Sequence, residues 1–462
     1  MKSRLLVLLA ALALVSGLLF SAHAVRGVRA APAVATTHTG TLDDGATYKI
    51  EVPSNWNGTL VLYSHGYVTP GSSNPATDVG DPVTGGWLLA NGYALAGSSY
   101  STTGWAVQQA LHDQIAVLDV FNQAFGQPSR TIAWGHSLGG IITAGLVQLN
   151  PGRFDAALPM CGVVAGGVGT WNAALDGEFA FRTLLAPTSA LQLVNITNPN
   201  ANLGLAEQIL AAAQATPQGR ARLALAAAVG DLPGWFDPAS PEPAADDFAA
   251  REQNQFLWDA RVDFPFVFAL RAELEARAGG NPSWNTGVNY RRQLERSVDR
   301  SEVAALYKQA GLNLSKDLDA LDTAPHIAAD PGAVSYLTKY IVFDGSLNIP
   351  VLTMHTTGDG LVVTQQERAY ADVVRAADNN DLLREVFVHR AGHCTFTPAE
   401  TVTAFQTLIH RLDSGTWGGS THPDVMNTEA SALGSTFNVA PPAFIQYESA
   451  PYPRPFDASD AS

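Results

Sequence analysis

A short glycine-rich stretch, Gly135-His136-Ser137-Leu138-Gly139-Gly140, contains the serine whose surroundings best suit nucleophilic chemistry. An apolar run over 131–134 predicts a buried strand before it, and a second run over 141–147 predicts a helix after it. A strand that turns sharply into a helix through Gly-x-Ser-x-Gly strains the backbone at the serine and exposes its hydroxyl. The helix N-terminus that follows can stabilise an oxyanion. We therefore expect Ser137 to be a nucleophile.

A nucleophilic serine needs a base, and the base needs a group that orients it and stabilises its charged form. Asp359, in Gly358-Asp359-Gly360, and His393, in Gly392-His393-Cys394, each follow the end of a predicted strand. Parallel strands place their carboxyl ends at one edge of a sheet, so both residues should lie beside Ser137. The chain order serine, acid, histidine also fits a strand–turn–helix nucleophile. We predict a triad of Ser137, His393 and Asp359.

Other residues compete for the roles of base and acid, namely His65, His136, His389, Asp155 and Asp344. The first two histidines suit a loop-holding role and a pocket wall. His389 is the main rival of His393, but His393 follows a glycine in a loop that is free to lean over Ser137. Neither of the two aspartates follows a strand end at the expected place.

In the first part of the chain, the elements expected to position these residues are strands that alternate with helices. We expect an edge strand at 46–52 and buried strands at 59–64, 93–97, 131–134 and 154–160. A long amphipathic helix is expected at 105–125. This alternation predicts an α/β fold, with a mostly parallel sheet covered by helices on both faces. We expect the first part of this core to span residues 45–165 and the second part to span 341–413.

Between these two parts, residues 166–340 carry mostly helical signals separated by Pro- and Gly-rich stretches. We interpret them as a large helical cap inserted into the sheet, with an independent second domain as the alternative. Three acidic cap residues are available to bind an amine: Glu252, Asp259 and Asp263. The cap aromatics either line an acyl pocket or form ordinary core: Trp235, Phe236, Phe256, Trp258, Phe264, Phe266 and Phe268. Residues 414–462 form a C-terminal tail whose role the sequence does not show.

Composition and the N-terminus narrow the class of protein. The 462 residues are 46% hydrophobic and 15% charged, as in a globular protein with a sizeable core. The net charge of -15 argues against nucleic-acid or anionic-membrane partners. A basic start, an apolar run over 5–20 and Ala22-His23-Ala24 predict a signal peptide over 1–24, followed by a leader over 25–44. We therefore expect secretion without membrane insertion after cleavage; an uncleaved anchor is the alternative.

The sequence also bears on metals, cofactors and disulfides. No Cys/His cluster has the spacing of metal ligands and no Gly-rich phosphate loop occurs, so we expect neither a metal nor a cofactor. The chain has two cysteines, Cys161 and Cys394. An even count in an exported protein favours a disulfide, and two buried reduced thiols are the alternative.

Four motifs in the expected order make the chain resemble the α/β-hydrolase superfamily, over about residues 45–163 and 345–412. They are Ser64-His65-Gly66-Tyr67, the glycine-rich stretch around Ser137, the stretch 355–363, and Gly392-His393. The resemblance implies that the backbone N–H groups of Leu138 and Tyr67 form an oxyanion hole.

The pair His393-Cys394 is also similar to secreted tannases and feruloyl esterases. In those enzymes a cysteine after the catalytic histidine is bridged to one before the catalytic serine. Here His136 stands before Ser137, and Cys161, at the end of the next strand, is the cysteine that could reach Cys394. We hypothesise a Cys161–Cys394 disulfide that holds the histidine loop.

These observations together predict a secreted serine hydrolase that cleaves a small or medium carboxylic ester through an acyl-enzyme. A serine peptidase acting on short peptides is the second hypothesis, which an amine-binding carboxylate in the cap would favour. A catalytically silent binding protein on the same fold is the third. The oligomeric state stays open.

Overall fold

A single mixed sheet organises the computed structural model, which describes residues 35–460. The predicted signal peptide, residues 25–34 of the predicted leader, and residues 461–462 lie outside the described residues. Nine strands of the described part join the sheet: β1 Ala35–Thr41, β2 Thr47–Pro53, β3 Thr59–Ser64, β4 Ala94–Ser98, β5 Arg130–His136, β6 Ala156–Met160, β7 Val351–Gly358, β8 Leu383–Ala391 and β9 Phe444–Ile445. Their order across the sheet is β1-β2-β4-β3-β5-β6-β7-β8-β9.

The middle of the sheet is parallel and its two edges are antiparallel. Strands β3 to β8 pair in parallel, whereas β1, β2 and β9 run antiparallel to their neighbours. Every residue of β3, β4 and β6 is buried, as expected of strands covered on both faces. The predicted α/β fold is therefore confirmed.

Helices cover both faces of the sheet. Those outside the insertion are α1 Pro82–Ala90, α2 Val107–Phe125, α3 Leu138–Leu149, α13 Gln365–Ala376, α14 Pro398–Ser414 and α15 Pro423–Ala432. Side chains of α2, α3 and α13 share one apolar core with the sheet. Side chains of α1, α14 and α15 share a second core on the opposite face. The parallel strands consequently lie between two layers of helices, and β5 leads directly into α3 at its carboxyl end.

An all-helical segment lies between the end of β6 and the start of β7. Its helices are α4 Gly166–Leu185, α5 Pro199–Gln214, α6 Pro217–Val229, α7 Phe248–Trp258, α8 Arg271–Ala278, α9 Tyr290–Arg296, α10 Arg300–Ala310, α11 Leu314–Thr323 and α12 Pro331–Lys339. We call this segment the cap. Much of it packs around an apolar core of its own, which includes Phe181, Leu225 and Phe268.

Two π-helical segments, Asp259–Asp263 and Phe266–Leu270, interrupt the cap between α7 and α8. Pro265, which has no N–H to donate, lies between them. Segments of this kind are rare and occur frequently at functional sites. Here they place Asp259 and Asp263 four residues apart on a widened turn.

Two features of the sheet differ from expectation. The sheet begins with β1, inside the range predicted as a leader, and β1 pairs along its whole length with β2. The edge position predicted for 46–52 is therefore wrong, because β2 lies between β1 and β4. Most side chains of β1 are exposed, so it carries none of the apolar periodicity that would predict a strand.

The C-terminal tail is built into the molecule. Strand β9 adds to the sheet beside β8. Further on, the Tyr452 hydroxyl donates to the Gly169 carbonyl oxygen at 3.2 Å. Arg454 forms an ion pair with the buried Asp176 of α4 at 2.8 Å. The tail therefore contacts both the sheet and the cap.

Over residues 35–460, no helix has the length and apolar character needed to cross a lipid bilayer.

Candidate active site

Ser137 lies at the sharp turn between β5 and α3. Its backbone has a φ of 57° and a ψ of -121°, a strained conformation for a residue with a side chain. The neighbouring glycines make this turn possible. A Cβ on Gly135 would collide with the Gly139 carbonyl oxygen, and one on Gly139 would collide with the Ser64 carbonyl oxygen. The turn consequently holds the serine above the sheet edge.

The structure brings the three residues of the predicted triad together. The Ser137 hydroxyl lies 2.8 Å from His393 Nε2. On the other side of the ring, His393 Nδ1 lies 2.7 Å from Asp359 Oδ2. With the proton on Nδ1, the imidazole donates to Asp359 and accepts from Ser137. This arrangement can remove the serine proton and stabilise the imidazolium that results.

The loop after β7 fixes the Asp359 carboxylate. Its Oδ1 accepts hydrogen bonds from the backbone N–H groups of Leu361 at 3.1 Å and Val362 at 3.0 Å. Burial by itself raises the pKa of Asp359, but attraction to His393 and hydrogen bonds from His355 and His393 outweigh it and lower the pKa. The residue is therefore an ionised acceptor for the His393 ring.

A second histidine, His355 of β7, lies fully buried behind the triad. Its Nδ1 is 2.8 Å from Glu367 Oε1, and its Nε2 is 2.7 Å from the Val362 carbonyl oxygen and 3.5 Å from Asp359 Oδ2. Burial by itself lowers the pKa of His355, but the hydrogen bonds to Asp359 and Glu367 outweigh it and raise the pKa to about 10. A charged imidazolium thus supports the Asp359 loop from below.

Sequence reasoning missed His355 and Glu367 as supports of the site. A histidine inside an apolar strand and a glutamate on an amphipathic helix each have an ordinary explanation. The one available signal was the spacing of His355 four residues before Asp359 across a strand end.

The predicted oxyanion donors lie beside the nucleophile. Leu138 is the first residue of α3, and the first N–H groups of a helix have no partner within it. The loop that carries Tyr67 passes close by, because a Cβ built on Gly66 would lie 3.4 Å from the Ser137 Cβ. Both backbone segments therefore approach the position of a carbonyl oxygen bound to Ser137.

Cys161 and Cys394 form a disulfide, with their Cα atoms 5.4 Å apart. Cys161 follows the end of β6 and Cys394 directly follows His393. The Cys394 sulfur lies 3.4 Å from His393 Nε2. The cross-link thus ties the histidine loop to the neighbouring strand end, as the hypothesis from the sequence required.

The three rival histidines make other contacts. The ring nitrogens of His65 face the Gly66 and Ser99 carbonyl oxygens at 2.8 and 3.2 Å. His136 is half-buried with its ring against that of Trp134, and the desolvation of this ring and the nearby His393 lower its pKa to about 3. His389 faces Glu242 at 3.3 Å and is 43% exposed at its side chain.

The two rival acids also point elsewhere. Asp155 accepts a hydrogen bond from the Thr131 backbone N–H at 2.7 Å. Asp344 accepts one from the Ser346 backbone N–H at 2.8 Å on the exposed surface. Neither contact involves the triad.

An apolar pocket of about 150 Å³ opens beside Ser137, between the sheet edge and the cap. Its lining includes Tyr67, Leu138, Trp105, Trp171 and Phe181. Of the aromatic residues predicted for an acyl pocket, Phe264 and Phe266 line it, whereas Phe268 belongs to the core of the cap. A cavity of this volume can hold one aromatic ring.

Three acidic residues belong to this largely apolar lining, Glu178, Asp259 and Asp263. Burial raises the pKa of Glu178 to about 8. Burial and the charge of Glu252 raise the pKa of Asp259 to about 8. Burial and the charges of Asp259 and Asp359 raise the pKa of Asp263 well above its ordinary value. Of the three acidic cap residues singled out from the sequence, the pocket contains two, and Glu252 instead accepts a hydrogen bond from Gln214 at 3.2 Å.

One surface cluster outside the pocket offers metal-ligand atoms. Asp44, His112 and Asp113 place three such atoms within 4.8 Å of one another. An acidic cluster of this kind is common on protein surfaces, and no step of the chemistry below uses it.

Comparison with known proteins agrees with this architecture. The sequence model of the prolyl oligopeptidase family matches residues 96–166, which run from β4 through the serine turn to the start of α4. An o-phthalyl amidase from Xanthobacter agilis is 31% identical over 426 residues, which are 86% of this chain and 91% of that protein.

Solved structures give weaker likenesses. An esterase from Aspergillus oryzae matches with a TM-score of 0.39 and 13% identity, over 82% of this chain and 79% of that one. Feruloyl esterase B from Aspergillus oryzae matches with a TM-score of 0.38 and 14% identity, over 83% and 80%. Scores this low support no conclusion about this chain, and the likeness to tannases stays a prediction.

Two observations therefore decide the family: the order of the sheet with its serine turn, and an identity of 31% across nearly the whole of a known amidase. The chain belongs to the α/β-hydrolase superfamily, in the same family as that amidase.

Proposed function

We propose that this chain is a serine hydrolase that cleaves a small carboxylic amide or ester through an acyl-enzyme. The observation that carries the proposal is the continuous contact from Ser137 Oγ to His393 Nε2 at 2.8 Å and from His393 Nδ1 to Asp359 Oδ2 at 2.7 Å. Separations of this size are those of a nucleophile, its base and an orienting acid.

In the first step, the Ser137 oxygen bonds to the substrate carbonyl carbon while its proton moves to His393 Nε2. The carbonyl oxygen becomes an oxyanion, which the N–H groups of Leu138 and Tyr67 stabilise. His393 then gives its proton to the leaving nitrogen or oxygen as that bond breaks. Water repeats both steps on the acyl-enzyme, releasing the acid and restoring Ser137.

The pocket favours a small acyl group over a bulk polymer. Its volume of about 150 Å³ and largely apolar lining suit one ring or a short chain. The relative from Xanthobacter agilis, an o-phthalyl amidase, also has an aromatic acyl group in its name. An amide substrate is thus as well supported as the ester predicted from the sequence.

Secretion is part of this proposal. The Cys161–Cys394 disulfide supports it, because such bonds persist in oxidising compartments and are rare in reducing ones.

A panel of chromogenic aryl esters and anilides tests the proposal, together with labelling by a fluorophosphonate. We expect wild-type protein to turn over one class or both and to carry the label on Ser137. Ser137→Ala should lose both properties, whereas Ser335→Ala, on an exposed helical site, should keep them. Turnover that persists in Ser137→Ala rejects the nucleophile. Folded wild type that neither turns over nor labels supports a silent binding protein.

The base is tested by a matched pair of variants. His393→Gln should lose turnover, and His389→Gln should keep it, because only His393 contacts the Ser137 hydroxyl among the described histidines. The opposite result would move the base to His389.

A further inference from the structure

The pocket beside Ser137 has an unbalanced set of charged residues. Three acidic residues line it, Glu178 of α4 and Asp259 and Asp263 of the first π-helical segment. Among the described residues that line the pocket, none is a lysine, arginine or histidine. An apolar cavity with acidic groups and no basic ones is suited to a cationic ligand.

Glu178 supplies an independent sign of a missing partner. Its side chain is nearly fully buried, at 4% exposure, and neither carboxyl oxygen has a hydrogen-bond partner. The nearest cation, Arg271 Nη1, lies 3.9 Å away, while Arg271 makes its hydrogen bonds to Glu275 and Asn281. A buried carboxyl that has only this long ion pair and no hydrogen bond costs folding free energy, which a bound ligand can offset.

Asp263 repeats this pattern. Its Oδ2 is buried without a hydrogen-bond partner, and the charges that act on it come from other acids, Asp259 and Asp359. Two other acids near the pocket are paired, Asp176 with Arg454 and Asp359 with His393. Carboxyl oxygens of some acids outside the lining, such as Glu252 and Glu367, also lack a hydrogen-bond partner. Among the acids of the lining, Glu178 and Asp263 share this deficit.

A primary ammonium group fits this deficit because it carries one positive charge and three N–H donors. The indole ring of Trp105, which meets that of Trp171 edge to face in the lining, offers a face that attracts a cation. The Trp171 ring already contacts the guanidinium of Arg271. We propose that Asp259, Asp263 and Glu178 form a subsite for a protonated amine on the acyl part of the substrate. The substrate class would then be amides or esters of amino acids.

The assignment to the acyl part rests on the proposed function. In an acyl-enzyme, the leaving group must escape while the acyl group stays bonded to Ser137. Glu178, Asp259 and Asp263 all belong to the cap wall of the pocket, so we assign the amine that they hold to the group that stays. Asp259 and Glu178, with pKa values raised to about 8, would release a proton when an ammonium binds beside them.

Matched anilides test the subsite by kinetics. We expect kcat/KM for phenylalanine p-nitroanilide to exceed that for its 3-phenylpropanoyl analogue, which lacks only the amino group, by about tenfold or more. Asp259→Asn and Glu178→Gln should each lower this ratio several-fold. Asp319→Asn is the control, at an exposed cap acid outside the pocket, and should keep the wild-type ratio. A wild-type preference for the neutral analogue or for 2-carboxybenzoyl p-nitroanilide, or a ratio unchanged in both variants, overturns the proposal.

A binding measurement separates the subsite from the chemistry. Calorimetry of benzylamine with Ser137→Ala should show binding with proton release, seen as heats that differ between phosphate and Tris buffers. Benzyl alcohol should bind at least tenfold more weakly. If the amine fails to bind, the subsite is wrong even when Ser137 labels with fluorophosphonate. If the amine binds but Ser137 does not label, the subsite stands and the proposed hydrolase activity fails.

Discussion

The two walls of the pocket treat buried charge in opposite ways. On the sheet side, Asp359 and Glu367 each contact a buried or half-buried histidine, so the charges near Ser137 are paired. On the cap side, the nearest cation to Glu178 lies 3.9 Å away and makes no hydrogen bond to it, and Asp263 Oδ2 has no hydrogen-bond partner. The acids of the sheet side are therefore positioned by partners within the chain, whereas those of the cap side leave polar groups that, under the proposal above, a ligand satisfies.

The largest expected effect tests the paired side. Asp359→Asn should lower kcat about 10⁴-fold, because an amide in place of the carboxylate favours the wrong tautomer of His393. Steady-state kinetics on the best chromogenic substrate measures it. Asp155→Asn, which alters a contact with the Thr131 backbone, is the control and should change kcat less than about tenfold. Equal losses in the two variants would contradict the assignment.

The disulfide should give the next largest effect. It joins residues 233 positions apart, and the chain between them includes the whole cap. The Cys161→Ala/Cys394→Ala double variant should lose about 4 kcal/mol of unfolding free energy, because the unfolded chain gains freedom. Urea unfolding without reductant measures the loss, and wild type under reductant should match the double variant. A loss below about 1 kcal/mol would show that the cross-link is dispensable.

Packing tolerance should differ between the two regions. Gly139→Ala places a Cβ against the Ser64 carbonyl oxygen and should cost about 3 kcal/mol of unfolding free energy, with loss of turnover. Gly204→Ala, in cap helix α5 with open space at the Cβ, should instead stabilise by about 0.5–1 kcal/mol. Thermal and urea unfolding of both variants measure the contrast. A tolerated alanine at 139 would refute the tight turn.

The smallest expected effect concerns pH. The pKa of Asp259 is about 8 in the folded protein against an ordinary 3.8, so the folded state holds the extra proton between these values. Its contribution to stability is therefore full below pH 3.8 and is lost as the pH rises towards 8.

Asp259→Asn should flatten the fall in unfolding free energy between pH 5 and 7 by about 1 kcal/mol per pH unit. Urea unfolding at pH 5, 6 and 7 measures the slope. Asp319→Asn, at an exposed cap site, should keep the wild-type slope. Parallel slopes for wild type and Asp259→Asn would mean that the group is ionised throughout.

The sheet and its serine turn were predictable because their signals are local. Apolar runs predict buried strands, and glycines around Ser137 mark the turn whatever the rest of the chain does. By contrast, β1 is mostly exposed and β9 has two residues, so neither carries a periodic pattern.

The support of the site and the composition of the pocket were harder to predict. His355 and Glu367 contact each other only because β7 and α13 pack together. Similarly, Trp105, Glu178 and Asp263 meet around one cavity although they are far apart in the chain. The sequence identified Asp259 and Asp263 as candidates, but their position depends on how the cap folds over the sheet.

The contact between Arg454 and Asp176 has a consequence for biosynthesis. Arg454 follows Asp176 by 278 residues and is therefore synthesised much later. Since chains fold from the N-terminus during synthesis, the first cap helix must wait for this counter-ion until Arg454 has been added. A nascent chain stalled before this arginine would therefore hold a finished serine turn under a loosely held cap, and premature termination there should yield a protease-sensitive product.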